Sequence, residues 1–450
     1  MSLQQPRILG LLSFVQMCKF FSHYGLRALL VLYMVNQLRF SDSHAFGVNA
    51  VFCGLVELGG IFGGILADRY LGLRRAMVLG GTILAVGYAS LILEKGLFFS
   101  LGMIILGGSL FSSNITALLG SAYSENDPRR EKGFAIFYMM QNLGALISTL
   151  LCAIVATQYG FHLGFLVASV GMVVGVTTLF WRRELLSQLD LGPKGKPSLI
   201  LVPIVLLMLG VGFVAVGNES IILPFLPWLT VGIFCFFAIR LMQDPKLAKG
   251  QVRKLLIYLG GLILFFAAED QICSSLIVFS ERETERTLLG WTIPSSVIMT
   301  VNPIIIILFG TLIARLNARF ITPFILVAIS FGSLALLCLF HLSVSFLGVM
   351  AMVTIVSLAE LMVGPLVSSI ASEVASKDKP GMVMGMVPIA FSLAFLLGGG
   401  FSKMVAIEES SLSLVTYGEG FGKIALLTLI GGVLLQLLIK RLVNAKRAVS

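Results

Sequence analysis

Ser198-Leu-Ile-Leu-Val-Pro-Ile-Val-Leu-Leu-Met-Leu-Gly-Val-Gly-Phe-Val-Ala-Val-Gly217 carries no charge, and neither does Ser220-Ile-Ile-Leu-Pro-Phe-Leu-Pro-Trp-Leu-Thr-Val-Gly-Ile-Phe-Cys-Phe-Phe-Ala-Ile239 just after it. Each run is close to the ~20 residues an apolar helix needs to cross the hydrocarbon core of a bilayer. The rest of the 450-residue chain repeats the pattern, being 57% apolar and only 12% charged. Its charged fraction is about half that of a soluble domain, which excludes a soluble enzyme. The formal charge of +10 is spread over short basic clusters between apolar runs, the mark of membrane orientation rather than nucleic-acid binding. Cys18, Cys53, Cys152, Cys235, Cys273 and Cys338 all fall inside apolar runs, so they read as core filler and not as a disulfide framework. The first apolar run continues past Arg27 to about Val35 with no small-residue cleavage site, so it reads as a first transmembrane helix rather than a leader.

Apolar runs of helix length fall at roughly 8-36, 46-67, 76-93, 97-123, 134-157, 161-181, 198-217, 220-241, 254-280, 291-315, 320-341, 344-372, 382-405 and 420-442, about fourteen spans. Alternating ten-residue segments are missing, so strands are not expected and the chain reads as an all-α integral membrane protein. Arg69/Arg74/Arg75, Arg129/Arg130/Lys132, Arg182/Arg183/Lys194/Lys196, Lys246/Lys249/Arg253/Lys254, Arg315/Arg319, Lys377/Lys379 and Lys440/Arg441/Lys446/Arg447 take every second connection. The alternate loops hold Glu281/Glu283/Glu285 and Glu408/Glu409/Glu419, which places both termini in the cytoplasm.

A basic linker from Arg182 to Pro197 closes one six-helix block, and Asp244 to Lys254 opens another. The expected domains are 1-183, a linker with two inserted helices over 184-253, and 254-450. The inserted spans have no buried ionisable residue, so packing or spacing is expected of them rather than transport. Gly64-Ile-Leu-Ala-Asp-Arg69 is echoed by Gly310-Thr-Leu-Ile-Ala-Arg315, as two equivalent halves would require. Two such halves around a midplane site are a common plan for secondary transporters.

Ionisable groups inside spans are costly and by default mark function. Gln16, Lys19, His23 and Arg27 are spaced 3, 4 and 4 residues apart, within an arc of about 80° on one helix. They form an inward stripe, unless Lys19 and Arg27 snorkel to opposite interfaces. Glu57 is the only acid expected to be buried in the first six helices and must either meet a cation, with Lys19 or Arg27 the obvious partner, or stay protonated; such a pair would be structural or part of coupling. Ser109, Ser112 and Thr116, beside Ser113 and Asn114, serve either helix packing or substrate. Tyr138 and Asn142, with Gln141, suit either a peptide-like backbone or a helix–helix hydrogen bond. Glu269-Asp270-Gln271, followed by Ser274 and Ser275, sets two acids side by side in an apolar span, the best candidates to carry a proton. Glu360, on a face with Ser357, Gly364 and Ser368 and near Pro365, suits a substrate ammonium or a structural partner. No metal cluster, phosphate-cradling loop or nucleophile-base set is visible, so no metal, cofactor or enzymatic role is expected.

These strings resemble the proton-coupled oligopeptide transporter family of the major facilitator superfamily, over nearly the whole chain. Ser22-His-Tyr-Gly-Leu-Arg-Ala-Leu-Leu-Val-Leu-Tyr33 resembles the tail of the family's first-helix motif E-x-x-E-R-F-x-Y-Y-G and the alanine-rich stretch after it. Gly63-Gly-Ile-Leu-Ala-Asp-Arg-Tyr-Leu-Gly-Leu-Arg-Arg75 resembles the superfamily loop motif, and Phe137-Tyr-Met-Met-Gln-Asn-Leu-Gly-Ala145 the motif F-Y-x-x-I-N-x-G. Gly160-Phe-His-Leu-Gly-Phe165 is similar to G-W-H-x-G-F. Ala267-Ala-Glu-Asp-Gln-Ile-Cys-Ser-Ser-Leu276, Gly290-Trp-Thr-Ile-Pro294 and Val301-Asn-Pro303 resemble the seventh- and eighth-helix segments. Bacterial members also carry an extra helix pair between the halves. Where the family has E-x-x-E-R, this chain has Gln16, Lys19 and Phe20; Ser112 replaces the fourth-helix lysine, and Glu57 a second-helix tyrosine.

The resemblance implies a major facilitator fold of two six-helix bundles plus the inserted pair, in the bacterial inner membrane, as a monomer. It implies that Arg27, Tyr24, Asn142, Asn302, Glu360 and Ser112 contact substrate and that Glu269, Asp270 and Glu360 carry protons. The implied partners are a peptide-like solute, protons and the bilayer. Two readings remain: proton-driven symport of di- or tripeptides or similar amphoteric solutes, and an uncoupled facilitator or exchanger of another solute. A membrane sensor or scaffold would not need to keep a charged midplane.

Overall fold

The computed structural model describes all residues except 1–4, 94–95, 125–126, 188–200, 246, 289, 314–318, 375–379, 408–412 and 448–450. Lys194, Lys196, Lys246, Arg315, Lys377, Lys379, Glu408 and Glu409 therefore lie outside the described residues, as does the end of the Gly310–Arg315 repeat.

The helices in chain order are α1 Arg7–Leu32, α2 Asp42–Leu66, α3 Leu73–Ser90, α4 Leu97–Ser121, α5 Arg130–Tyr159, α6 Phe161–Trp181 and the short α7 Arg183–Ser187. Next come α8 Leu201–Gly217, α9 Glu219–Ile222, α10 Leu226–Gln243, α11 Lys249–Glu269, α12 Ser275–Glu283 and α13 Val301–Ile313. The last four are α14 Thr322–Leu339, α15 Phe346–Val374, α16 Pro380–Lys403 and α17 Ser413–Arg447. Most apolar runs of the sequence overlap one of these helices or a pair of them, while the run 291-315 opens with a two-residue strand, Trp291–Thr292, and a 3₁₀ turn, Ser295–Thr300, before α13. Among the described residues, 10 helical segments are long and apolar enough to cross a membrane, and Val202–Gly217 and Ser295–Gly310 are shorter apolar helices.

Four features correct the sequence reading. Among the described residues there are four two-residue strands: β1 Thr284–Glu285 pairs in parallel with β4 Val344–Ser345, and β2 Thr287–Leu288 pairs antiparallel with β3 Trp291–Thr292. They lie in connections, where polar residues free the backbone from the helical pattern. The ninth apolar run is broken: α11 ends at Glu269, a 3₁₀ turn spans Asp270–Cys273, and α12 starts at Ser275. Asp, Cys and Ser favour helix interiors weakly, which lets the helix break there. Glu57 is not the only acid inside the early helices, because α2 begins before its apolar run and takes in Asp42, which is 4% exposed. A first-turn acid suits the positive end of the helix dipole. Cys235 is exposed on α10, while the other five cysteines are buried.

The chain packs into two compact units, Met1–Tyr33 with Leu55–Asn218 and Met34–Gly54 with Glu219–Ser450. In the first, α1 packs on α5 and α6, α3 on α4 and α6, and α8 on α4. Small residues allow these backbones to approach closely: a Cβ at Gly63 of α2 would lie 1.8 Å from the Ser109 carbonyl oxygen of α4. In the second unit α11 packs on α15, α16 and α17, α14 on α15 and α17, and α10 on α16. Phe279, Tyr417 and Phe421, all buried, form an aromatic cluster there. The outer faces of α8 and α10 are apolar and open, with Leu207 67% and Trp228 76% exposed, as lipid-solvated surfaces require. In the α4–α5 connection, Arg129 donates to Asp127 from Nε at 3.0 Å and Nη2 at 2.8 Å, which holds the Asp127 carboxyl below its ordinary range.

Candidate functional site

In the first unit the 3-4-4 spacing along α1 lines up its polar residues. Gln16, Lys19 and Arg27 are 3%, 8% and 5% exposed, so the stripe points into protein, and snorkelling does not describe it. Lys19 and Arg27 are the charges that act on Glu57 of α2, Lys19 the more strongly, and both also act on His23. The fold thus gathers Lys19, His23, Arg27 and Glu57 from two helices into one electrostatic group. The Lys19 ammonium also lies 4.6 Å from the Phe20 ring centroid. Tyr24 stacks on Phe20 at 5.8 Å and meets His23 edge-on at 5.8 Å.

The hydroxyls of α4 divide in two. Ser109 is fully buried and donates to the Ile105 carbonyl at 2.7 Å, beside Gly59 and Gly63 of α2, so it serves packing. Asn114 donates to the Leu110 carbonyl at 2.7 Å and to the Gly63 carbonyl at 3.4 Å, which also ties α4 to α2. The Ser112 and Ser113 hydroxyls are buried with no hydrogen-bond partner among the described residues, as are Gln16 Oε1 and Ser13 Oγ. Buried polar atoms in this state are ready to bind water or solute. Asn142 is 8% exposed and donates to the Tyr138 carbonyl of its own helix at 3.0 Å, which leaves its side-chain oxygen as the acceptor.

In the second unit the two adjacent acids have different surroundings. Glu269 is half-buried at the end of α11, while Asp270, the first residue of the 3₁₀ turn, is fully buried. Asn302, one residue into α13, donates from Nδ2 to Glu360 Oε2 on α15. The bond ties the Glu360 carboxylate of α15 to α13. Ser357 is fully buried and donates to the Val353 carbonyl at 2.8 Å, so it serves its own helix. The side chains of Pro365 and Ser368 lie outside the described residues.

Sequence reasoning missed the partners of two buried acids, Asp42 and Glu219. Arg282 grips Asp42 with both terminal nitrogens, at 2.7 and 2.8 Å, and Asp42 also accepts from the Ile407 N–H at 3.1 Å. Glu219, between the inserted helices and only 4% exposed, bonds His44 Nδ1 at 2.9 Å. The signals were Arg282 among the acids of its loop and a lone acid, Glu219, between two uncharged runs.

A many-helix membrane protein with buried charges in both units, and with polar atoms left open beside them, is a membrane transporter and not an enzyme. The sequence model of the POT family, PTR2, matches residues 74–419. Dipeptide and tripeptide permease B of Yersinia enterocolitica serotype O:8 is 27% identical, over 99% of this chain and 97% of that protein. The permease of the same name from Edwardsiella piscicida is 28% identical over 95% and 93%. Among solved structures, a POT family transporter in complex with 5-aminolevulinic acid superposes with a TM-score of 0.86 at 24% identity, covering 97% of both chains. Another, in complex with a thioalcohol-conjugated peptide, gives 0.85 at 24%, again over 97% of both. The chain belongs to the POT family.

Proposed function

We propose that this protein is a secondary active transporter that couples proton movement to symport of di- and tripeptides, or of peptide-like amphoteric solutes, by alternating access. The observation that carries the reading is that each unit holds ionisable groups inside its helices, Lys19 and Arg27 in the first and Glu360 in the second, in a chain whose relatives are named dipeptide and tripeptide permeases. Lys19 and Arg27 on α1 suit a carboxylate. Glu360, oriented by Asn302, suits an ammonium. Tyr24, Asn142 and the open Ser112 hydroxyl supply neutral contacts for the peptide body. Protons are carried in the second unit by Glu269, Asp270 and Glu360, since Gln16 and Lys19 stand where the family has acids. Lys19, Glu57 and Arg27 form a rearranged charge balance in place of those acids.

The architecture we infer is a major facilitator fold of fourteen spans: 1-183 and 254-450 as six-helix bundles, with an inserted pair within 184-253. Both termini face the cytoplasm of a bacterial inner membrane, and the working unit is a monomer.

The test is uptake of labelled dipeptides by proteoliposomes with and without an inward proton gradient. Accumulation only with the gradient supports symport, and Asp270→Asn should abolish it while sparing exchange. Equilibration without accumulation, gradient or not, would overturn coupling in favour of a facilitator. Undiminished accumulation in both Glu269→Gln and Asp270→Asn would move the proton site elsewhere.

A further inference from the structure

We propose that Gln271 is a positioning residue for proton coupling: it locks the break between α11 and α12 against α16 and so fixes where the Asp270 carboxyl sits. The proposal rests on the reading of Asp270 as a proton carrier.

A helix break inside a span frees backbone groups that lipid cannot satisfy. Here the break runs through the 3₁₀ turn Asp270–Cys273 and then Ser274, at φ −125° and ψ −92°. The fully buried Gln271 amide meets a backbone carbonyl on the α11 side of the break and a hydroxyl on the α12 side. Its Nε2 donates to the Ala267 carbonyl on α11 at 3.0 Å and to the Gly398 carbonyl on α16 at 3.0 Å. Its Oε1 accepts from Ser275 on α12 at 2.7 Å, and the single proton of the Ser402 hydroxyl on α16 lies within reach of both Oε1, at 2.9 Å, and the Gly398 carbonyl, at 3.0 Å. Both amide donors and at least one lone pair are thus used, with Ser402 placed to fill the other. One side chain therefore joins both ends of the break to a single neighbouring helix.

Asp270, the adjacent residue, is held by the same cluster. Ser274 donates to the Asp270 carbonyl at 2.9 Å, and its hydroxyl lies 2.9 Å from that of Ser402. On the α16 side the fit is close: a Cβ at Gly398 would stand 3.1 Å from Asp270 Oδ2 and 3.1 Å from the Ala267 carbonyl oxygen. A carboxyl that must gain and lose a proton in step with transport needs a defined position, because small displacements change its surroundings steeply in a low-dielectric interior. A merely structural Gln271 would lower every mode of transport together. A positioning Gln271 governs the proton-linked mode alone.

The experiment compares gradient-driven accumulation with counterflow exchange of labelled dialanine by the full-length protein in proteoliposomes. Gln271→Asn is one methylene too short to keep both carbonyl contacts. It should lower the accumulation ratio about tenfold, the scale of one buried hydrogen bond lost, while counterflow KM and rate stay within about twofold. Ser402→Ala removes one of the four partners without crowding and should give a smaller loss in the same direction, a second readout should Gln271→Asn fold poorly. Equal losses in both modes, or no loss of accumulation in either variant, would overturn the proposal. Asp270→Asn, measured alongside, separates the two levels. If it accumulates normally, the proton-carrier reading fails and the positioning role with it. If it loses accumulation while Gln271→Asn and Ser402→Ala keep theirs, only the positioning role fails.

Discussion

Glu57 decides the electrostatics of the first unit, since two cations on α1 act on it. Removing one member of a buried pair leaves the other charge without compensation, at about 3–5 kcal/mol. Glu57→Gln should therefore reduce expression or transport far more than a surface change does, and Glu57→Gln with Lys19→Gln should partly restore it. Strict additivity across the cycle, measured as folded yield and initial uptake rate, would count against the pair. In the second unit Glu360 faces a simpler task, as Asn302 already donates to one of its oxygens. An N-acetylated dipeptide should compete much less well than the parent, and a C-amidated one only moderately less. Glu360→Gln should erase that difference, and equal tolerance of both blocked forms by the unmodified protein would refute an ammonium-anchoring role.

Among the helices, the α2–α4 contact is the tightest test of packing. A Cβ at Gly63 would sit 1.8 Å from the Ser109 carbonyl oxygen, and one at Gly59 2.0 Å from the Ser109 hydroxyl. Backbone cannot yield as a flexible side chain does, so Gly63→Ala should cost at least the ~1–3 kcal/mol of an overpacked core. Its neighbour Gly60 meets nothing within 4 Å, so Gly60→Ala should be tolerated. Thermal stability in detergent checks both: similar Tm values for the two variants would contradict this account of the α2–α4 contact. The same contact explains why Ser109, though on the polar face of α4, is spent on its own helix while Ser112 is left open.

For the whole molecule, loop charges set the expected orientation. A single cysteine replacing Glu283 should react with an impermeant thiol reagent added to sealed cells, and one replacing Lys194 should not. Labelling at position 194 from outside would reject the proposed topology. The two compact units divide between Asn218 and Glu219 rather than at the basic linker, and Met34–Gly54 groups with Glu219–Ser450. Asp42 and His44 lie in that segment, and their bonds to Arg282 and Glu219 are among the contacts that place it there.

The sequence by itself determined that this is a helical membrane protein, roughly where its apolar helices run, and that Gln16, Lys19, His23 and Arg27 share one face of the first helix. Those properties follow from local composition and helical period: a charge inside an apolar run must find a partner, and a 3-4-4 spacing puts side chains on one face. Only the tertiary structure decided which polar residues are spent on holding helices and which remain open. Gln271 and Ser402 are separated by 131 residues, and Arg282 and Asp42 by 240, so no periodicity relates them. Their partners are chosen by packing, which carries a break in one span up against the carbonyls of another, and by the cost of leaving any of those groups unpaired away from water.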